Sequence, residues 1–255
     1  MLNDLYDRIR SIPSVDALAL AGSRASGNTD EKSDYDLYVY GEEIVPAEIR
    51  REYLSSLCSQ AEIGNAFFES EDNLVLKDGT FVDVIYRCTG YFEDMINMMF
   101  EYNIAKNGYS TCFWHNIKTS EIIFDKSGRF TRLYESAQRE YPEELAQAII
   151  KRNMALLNGY LPSYDKQVGK AFYRHDYVSV NHRVAAFLES YFDVIFAVNR
   201  LTHPGEKKLV QICLRDCKIL PENFNENLMK LFENMFLYDV SDILDNINKE
   251  LKKIV

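Results

Sequence analysis

The hydrophobic pattern changes period once along the chain, and that change limits the fold more than any single motif. Up to about residue 88, short apolar and β-branched runs alternate with turn residues and brief helical stretches; after Gly128 nearly every segment repeats at the 3.6-residue period. VDALALA (15–21), stopping at Gly22, and YDLYVY (35–40) read as strands, as do IGNAFFES (63–70), NLVLKDG (73–79) and TFVDVIYR (80–87), with Asp78-Gly79 as a hairpin turn. Leu2, Leu5, Tyr6 and Ile9 predict an opening helix that Pro13 ends, and Pro46 starts another over AEIRREYLSSLC (47–58). YFEDMINMMFEYNIAK (91–106) reads as helix, and TCFWHNIKTSEIIFD (111–125) as one more strand or an extended crossover. Helices are then expected near 129–139, 142–159, 163–174, 177–201, 206–217, 225–236 and 239–253, broken by Pro142, Pro162, Pro204 and Pro221. The expectation is an α+β chain of two domains, mixed strand and helix over 1–126 and all-helical over 127–255, divided at the loop Asp125-Lys126-Ser127-Gly128.

Composition removes several classes. With 47% hydrophobic and 27% charged residues, 255 residues carry enough apolar material for real cores. A formal net charge of −10 opposes binding to long polyanions, so nucleic acid is not the expected partner, while a small polyphosphate remains open because carboxylate-held metal reverses the local sign. Five cysteines, Cys58, Cys88, Cys112, Cys213 and Cys217, show neither disulfide-framework nor zinc spacing and read as thiols in a reducing compartment. Acidic residues at the start, where a signal peptide is basic, and the absence of a long apolar run lead to an expectation of a cytoplasmic protein with no membrane partner.

The chemistry-bearing residues cluster around the first two strands. Gly22-Ser-Arg-Ala-Ser-Gly27 has the glycine spacing of a phosphate-binding loop, but Asn28 stands where that motif requires lysine. After a spacer of ten residues beyond Ser23, Asp34-Tyr35-Asp36 enters a strand, where residues two apart share a face, so two carboxylates stand side by side. Such a pair suits Mg²⁺, which takes oxygen ligands completed by water and substrate phosphates. Asp83 interrupts the apolar run FVDVIY (81–86), where an ionised carboxylate needs a partner. If these strands are neighbours, Asp34, Asp36 and Asp83 converge as ligands for two metal ions, while Gly22 and Ser23 offer close backbone and a hydroxyl to the β- and γ-phosphates.

Gly22-Ser23, Ser33-Asp34-Tyr35-Asp36-Leu37 and Val82-Asp83-Val84 resemble the pattern of the polymerase-β-like nucleotidyltransferase superfamily. The layout, a small nucleotidyltransferase domain before a helical one, looks like the bacterial enzymes that adenylylate aminoglycosides or lincosamides. The resemblance implies a mixed, partly parallel sheet backed by helices, two Mg²⁺ ions, and transfer of a nucleoside monophosphate, AMP from ATP, to a hydroxyl of a small-molecule acceptor with release of pyrophosphate. It matches Asp34, Asp36 and Asp83 to the metal ligands and calls for a carboxylate base. Glu69 is the first candidate for that base, with Glu71 and Asp72 as alternatives. Arg24 either contacts phosphate or is solvated, and Lys170 and Arg174, on one helical face with Gln167, are candidate triphosphate ligands in a helical, substrate-binding second domain. His182, Glu189, Asp193 and Arg200 form a polar stripe that either meets solvent and internal ion pairs or walls a cleft for a cationic acceptor. The turn from His203 to Lys208 reads as surface, or as a helix start whose amides and lysines hold an anion, and His115 and His175 read as structural. A protein-modifying, antitoxin-like transferase and a non-catalytic nucleotide-binding module are the competing functions.

Overall fold

Strands in the first half of the chain pair into one mixed sheet, and its register decides which carboxylates meet. A computed structural model describes residues 1–25 and 34–255, the Ser23 side chain apart. The strands are β1 (Ala17–Ala21), β2 (Tyr35–Gly41), β3 (Cys58–Asn65), β4 (Ser70–Leu76), β5 (Phe81–Cys88) and β6 (Glu121–Asp125), in the order β3-β4-β5-β2-β1-β6. Only β2 and β5 pair in parallel; the other neighbours are antiparallel. A parallel pair needs a long crossover, supplied by everything between β2 and β5.

Alternation sorts the two faces. Leu18, Leu37, Val39, Leu74, Leu76, Val82, Val84 and Tyr86 point to one face and form a core with Leu5 and Ile9 of α1 (Leu2–Ser11). Leu54 of α3 (Ala47–Leu54) joins the same core. On the other face, Tyr40 stacks on Phe130 of α6 (Arg129–Ala137) with ring centroids 4.2 Å apart and meets Phe92 of α4 (Thr89–Tyr102) edge-on. That second face also carries the small residues Ala17, Ala19 and Ala21, opposite Tyr40, Tyr38 and Asp36. Between β1 and β2 the chain begins a short helical turn, α2 (Gly22–Ala25).

Two sequence expectations change here. The helix expected to run to Cys58 stops at Leu54, and a 3-10 turn (Ser55–Leu57) leads into β3 five residues before the expected strand. β3 is an edge strand with polar Ser59, Gln60 and Glu62, so no apolar alternation marks it. The segment expected as a strand or crossover contains a two-turn helix, α5 (Cys112–Thr119), as well as β6. Trp114 and Ile117 are its buried residues, too few to show a period, and the Trp114 indole donates to the Ala137 carbonyl at 2.7 Å.

By its internal contacts the chain forms two units, Met1–Asn97 with Phe113–Arg139, and Met98–Cys112 with Glu140–Val255. The loop 125–128, where 1–126 was expected to give way to 127–255, is an internal turn of the first unit. Lys126 donates to the carbonyls of Ile12 and Val15, Ser127 donates to Asp16, and Asp125 accepts from Gly128 N and from Thr131 N and Oγ1, capping α6.

The second unit contains α7 (Glu143–Met154), continued by a π turn (Ala155–Gly159), α8 (Tyr164–Tyr173), α9 (Tyr177–Val198), α10 (Leu209–Asp216), α11 (Phe224–Asn234) and α12 (Ser241–Lys252). The helix expectations hold in number and place. α9 is the axis: from Ser190 to Ala197 every residue is buried, as befits a helix enclosed by its neighbours. Asp176 caps its start by accepting from Ser179 N. The α+β expectation is met: a mixed sheet backed by helices, then helices alone.

Candidate active site

A row of directly paired residues crosses the second face of the sheet: Ala21 opposite Asp36, Asp36 opposite Asp83, Asp83 opposite Asn73. Adjacent strands lie ~4.8 Å apart, so Asp36 and Asp83 set two carboxylates side by side. Asp83 is half-buried, because the opposite face of β5 faces the sealed core while this one is partly open. Its Oδ1 accepts from Asn73 Nδ2 at 2.8 Å, and no other hydrogen bond to its carboxylate comes from the described residues.

Gly22 packs directly on Asp36. Its φ is +64°, and a Cβ there would stand 1.8 Å from Asp36 Oδ2 and 2.6 Å from Cγ. The volume a side chain would fill is taken by the carboxylate, so only glycine permits this approach. Asp34 precedes β2 and is exposed rather than being a strand residue, and its carbonyl accepts from Arg24 Nε at 3.2 Å. The Arg24 guanidinium lies 4.0 Å from the Tyr35 ring centroid. The Ser23 side chain, and Gly27, Asn28 and Ser33 of the loop expectation, lie outside the described residues.

The three carboxylates expected as base candidates divide by neighbour. Glu69 lies in the bend before β4, not on a strand, and accepts a bidentate pair from Arg87 at 2.9 and 2.7 Å. Arg87 is buried, with its guanidinium 3.7 Å from the Tyr38 ring centroid and 4.7 Å from that of Phe92. Burial works against its charge, and Tyr40, Glu69 and Tyr38 outweigh it. This pair holds an internal cation, so Arg87 is not a partner for Asp83. Asp72 points into the other face, is fully buried, and accepts from Arg50, Tyr86 and Gly64 N. Glu71, partly exposed, lies on the Asp83 face two residues from Asn73; burial, then Asp83, Glu69 and Asp72, raise its carboxyl pKa.

Of the metal expectation, the structure brings Asp36 and Asp83 together. Among the described residues no three His, Cys, Asp or Glu side chains gather as a metal-holding group. Two carboxylates with no basic side chain paired to Asp83 still fit Mg²⁺, which commonly takes one or two carboxylates and completes its shell with water and phosphate oxygens.

Lys170 and Arg174 belong to the second unit and are exposed; Arg174 follows the last residue of α8, and Gln167 donates to the Pro162 carbonyl. The expected stripe on α9 is no single surface. His182 is exposed, Glu189 is half-buried, Arg200 pairs with Glu143, and Asp193 is 1% exposed. Asp193 accepts from Ser110 Oγ at 2.6 Å, Ser110 N at 3.0 Å and Asn153 Nδ2 at 3.0 Å, which ties the segment before α5 to α7 and α9. Burial raises its pKa to about 6 against these donors. His203, expected at a surface turn, is fully buried against Tyr109 and Phe196. Sequence reading missed Asn73 and Asn65, whose importance arises only from strand register.

A family model described as a domain of unknown function, DUF4037, matches residues 110–208. No curated protein matches. Among solved structures, the chain is similar to a nucleotidyltransferase-like protein from Exiguobacterium sibiricum 255-15, with 12% identity over 99% of this chain and 72% of that one and a TM-score of 0.43. It is similar to a spectinomycin adenyltransferase from Enterococcus faecialis with ATP and spectinomycin, at 12% identity, 98% coverage of both chains and TM-score 0.36. An aminoglycoside 6-adenyltransferase from Bacillus subtilis follows at 10% identity over 100% of this chain and 89% of that one, TM-score 0.30. Among the described residues no helix is long and apolar enough to cross a membrane.

Proposed function

We propose that this chain is a nucleotidyltransferase that moves a nucleoside monophosphate, most simply AMP from ATP, onto a hydroxyl of a small-molecule acceptor and releases pyrophosphate. The observation that carries the reading is the Asp36–Asp83 pair on adjacent parallel strands with the Gly22 backbone packed against Asp36. No basic side chain among the described residues pairs with Asp83, and the nearby Arg87 is committed to Glu69.

Asp36 and Asp83 would hold a divalent cation, with Asp34 as a further oxygen donor at the mouth of β2. When bound, that cation supplies charge neutralisation at the phosphates of the nucleotide. The backbone at Gly22 and Ser23 would accept the polyphosphate at close range, a role a residue with Cβ at position 22 could not fill. Arg24, held on Tyr35, offers a cation beside it. Glu69 is occupied by Arg87, so Glu71, on the Asp83 face of β4, is the better candidate to take the proton from the acceptor hydroxyl.

The test is titration calorimetry of ATP into the protein with and without Mg²⁺, beside the Asp36→Asn and Asp83→Asn variants. Mg²⁺-dependent binding lost in both variants supports the reading and justifies an acceptor screen by pyrophosphate release, beginning with amine-bearing polyols because the chain is acidic. A wild-type protein that binds no nucleoside triphosphate refutes it.

A further inference from the structure

We propose that Asn65 and Asn73 are positioning residues for Asp83: a directional chain of amides that fixes one carboxylate oxygen and keeps the other for a cation. The inference rests on the functional reading above. Phe67 N donates to Asn65 Oδ1 at 3.3 Å, Asn65 Nδ2 to Asn73 Oδ1 at 3.1 Å, and Asn73 Nδ2 to Asp83 Oδ1 at 2.8 Å. The direction follows from chemistry at both ends. A backbone N–H can only donate and an ionised carboxylate can only accept, so each intervening amide has one allowed orientation. The distances shorten toward the charge, as a charge-assisted terminus requires. Three dipoles aligned in this way reinforce one another.

The backbone is shaped to deliver Asn65 to this row. Ile63 pairs with Asp72 and Asn65 with Glu71, so Gly64 is an extra residue in β3, a bulge with φ of +92°. Gly64 N donates to Asp72 Oδ1 at 2.8 Å, and Asp72 is itself held by Arg50 and Tyr86 in the opposite face of the sheet. The buried Asp72 therefore anchors the bulge that presents Asn65 to Asn73.

Asparagine suits this task where lysine or arginine would not. A cationic donor would neutralise Asp83 and compete with the metal, whereas an amide orients the carboxylate and leaves its charge available. Asp83 Oδ2 receives no hydrogen bond from the described residues.

The experiment measures the Mg²⁺ concentration that half-saturates ATP binding, by calorimetry at fixed ATP, for wild type, Asn73→Ala, Asn65→Ala and the double variant. Outer partners of metal ligands are typically worth about 10- to 100-fold in metal affinity, and Asn73→Ala is expected to raise the midpoint by that order. Asn65→Ala is expected to raise it less, and to add nothing in the Asn73→Ala background, because it acts only through Asn73. A purely structural role would lower the melting temperature and leave the Mg²⁺ midpoint alone. In parallel, side-chain amide NMR of the metal-free protein reads the chain directly: Asp83→Ala should move both the Asn73 and the Asn65 amide resonances. Unchanged amide resonances in Asp83→Ala, or an unchanged Mg²⁺ midpoint in a folded Asn73→Ala, overturn the positioning role while leaving the functional reading intact. Should Asn73→Ala not fold, Asn65→Ala on the edge strand decides in its place. Wild type without Mg²⁺-dependent binding overturns both.

Discussion

Replacing Gly22 by alanine separates two costs that the structure distinguishes. The first is conformational: at φ +64° an L-residue carries a penalty of about 1–2 kcal/mol. The second is steric. The new Cβ would lie 1.8 Å from Asp36 Oδ2, 2.6 Å from Cγ and 3.0 Å from Cβ. Rotating the Asp36 side chain removes the first two overlaps but not the third, since Cβ moves only with the backbone. That backbone is paired on both sides, with Ala21 and with Asp83, so β2 cannot shift without disturbing the row it belongs to. Gly79→Ala is the internal reference, because Gly79 has φ +86° and nothing within 4 Å of its missing Cβ. Gly79→Ala should lower the melting temperature by about 2–8 °C, the conformational cost alone, with nucleotide binding unchanged. Gly22→Ala should fall further and lose Mg²⁺-dependent ATP binding, because Asp36 is turned away from Asp83. Thermal denaturation and calorimetry on the two variants read both effects. Equal destabilisation of the pair together with ATP affinity within twofold of wild type in Gly22→Ala would refute the argument.

Glu69→Ala should cost about 2–3 kcal/mol in denaturant unfolding, below the usual loss for a broken buried pair because Glu69 is a third exposed, and Arg87→Met in the same chain should recover most of it. Unchanged unfolding free energy in Glu69→Ala would contradict the structural weight given to this pair. Asp193, raised to about 6 from 3.8, binds the extra proton in the folded state, so stability falls as pH rises from 4 to 6, by on the order of 3 kcal/mol. Denaturant unfolding across that range should show this slope in wild type and its loss in Asp193→Asn; parallel slopes contradict the assignment. Asp125→Ala removes the acceptor for Gly128 N and for Thr131 N and Oγ1, and should lower stability by about 1–2 kcal/mol without changing ATP binding.

Elements whose burial pattern repeats were legible in the sequence. α9 and the helices around it announce themselves by period and by the prolines between them, and β2 and β5 by β-branched and aromatic runs. The edge strand β3 was misread over 58–62 because one open edge and two half-open faces place no apolar demand on it. The boundary at 125–128 was misread for a different reason. Asp, Lys, Ser and Gly are loop residues in either setting, and only the tertiary bonds from Lys126 to Ile12 and Val15 mark this loop as internal. In the site, the pairing of Asp36 with Asp83 followed from motif spacing once the strands were taken as neighbours. The place of Asp34 was less legible, since an acid one residue before a strand is not bound by the strand's alternation.

The acids of β4 and its approach show why residue type alone could not assign roles. Glu69, Glu71 and Asp72 stand within four positions, yet each meets a different environment. Asp72 has odd parity to the others and enters the core face, where Arg50, Tyr86 and Gly64 N make its burial tolerable. Glu71 shares a face of β4 with Asn73, the partner of Asp83, while the bidentate fork of Arg87 claims Glu69 in the bend before the strand. The same sorting acts on Asp36 and Asp83. A neutral amide and a glycine are their close neighbours, and both orient a carboxylate without cancelling it. A sheet that satisfies Asp72 and Glu69 with arginines while meeting Asp83 with an amide keeps a carboxylate charge on the strand beside Asp36 and the Gly22 backbone, the setting that the proposed divalent cation and polyphosphate require.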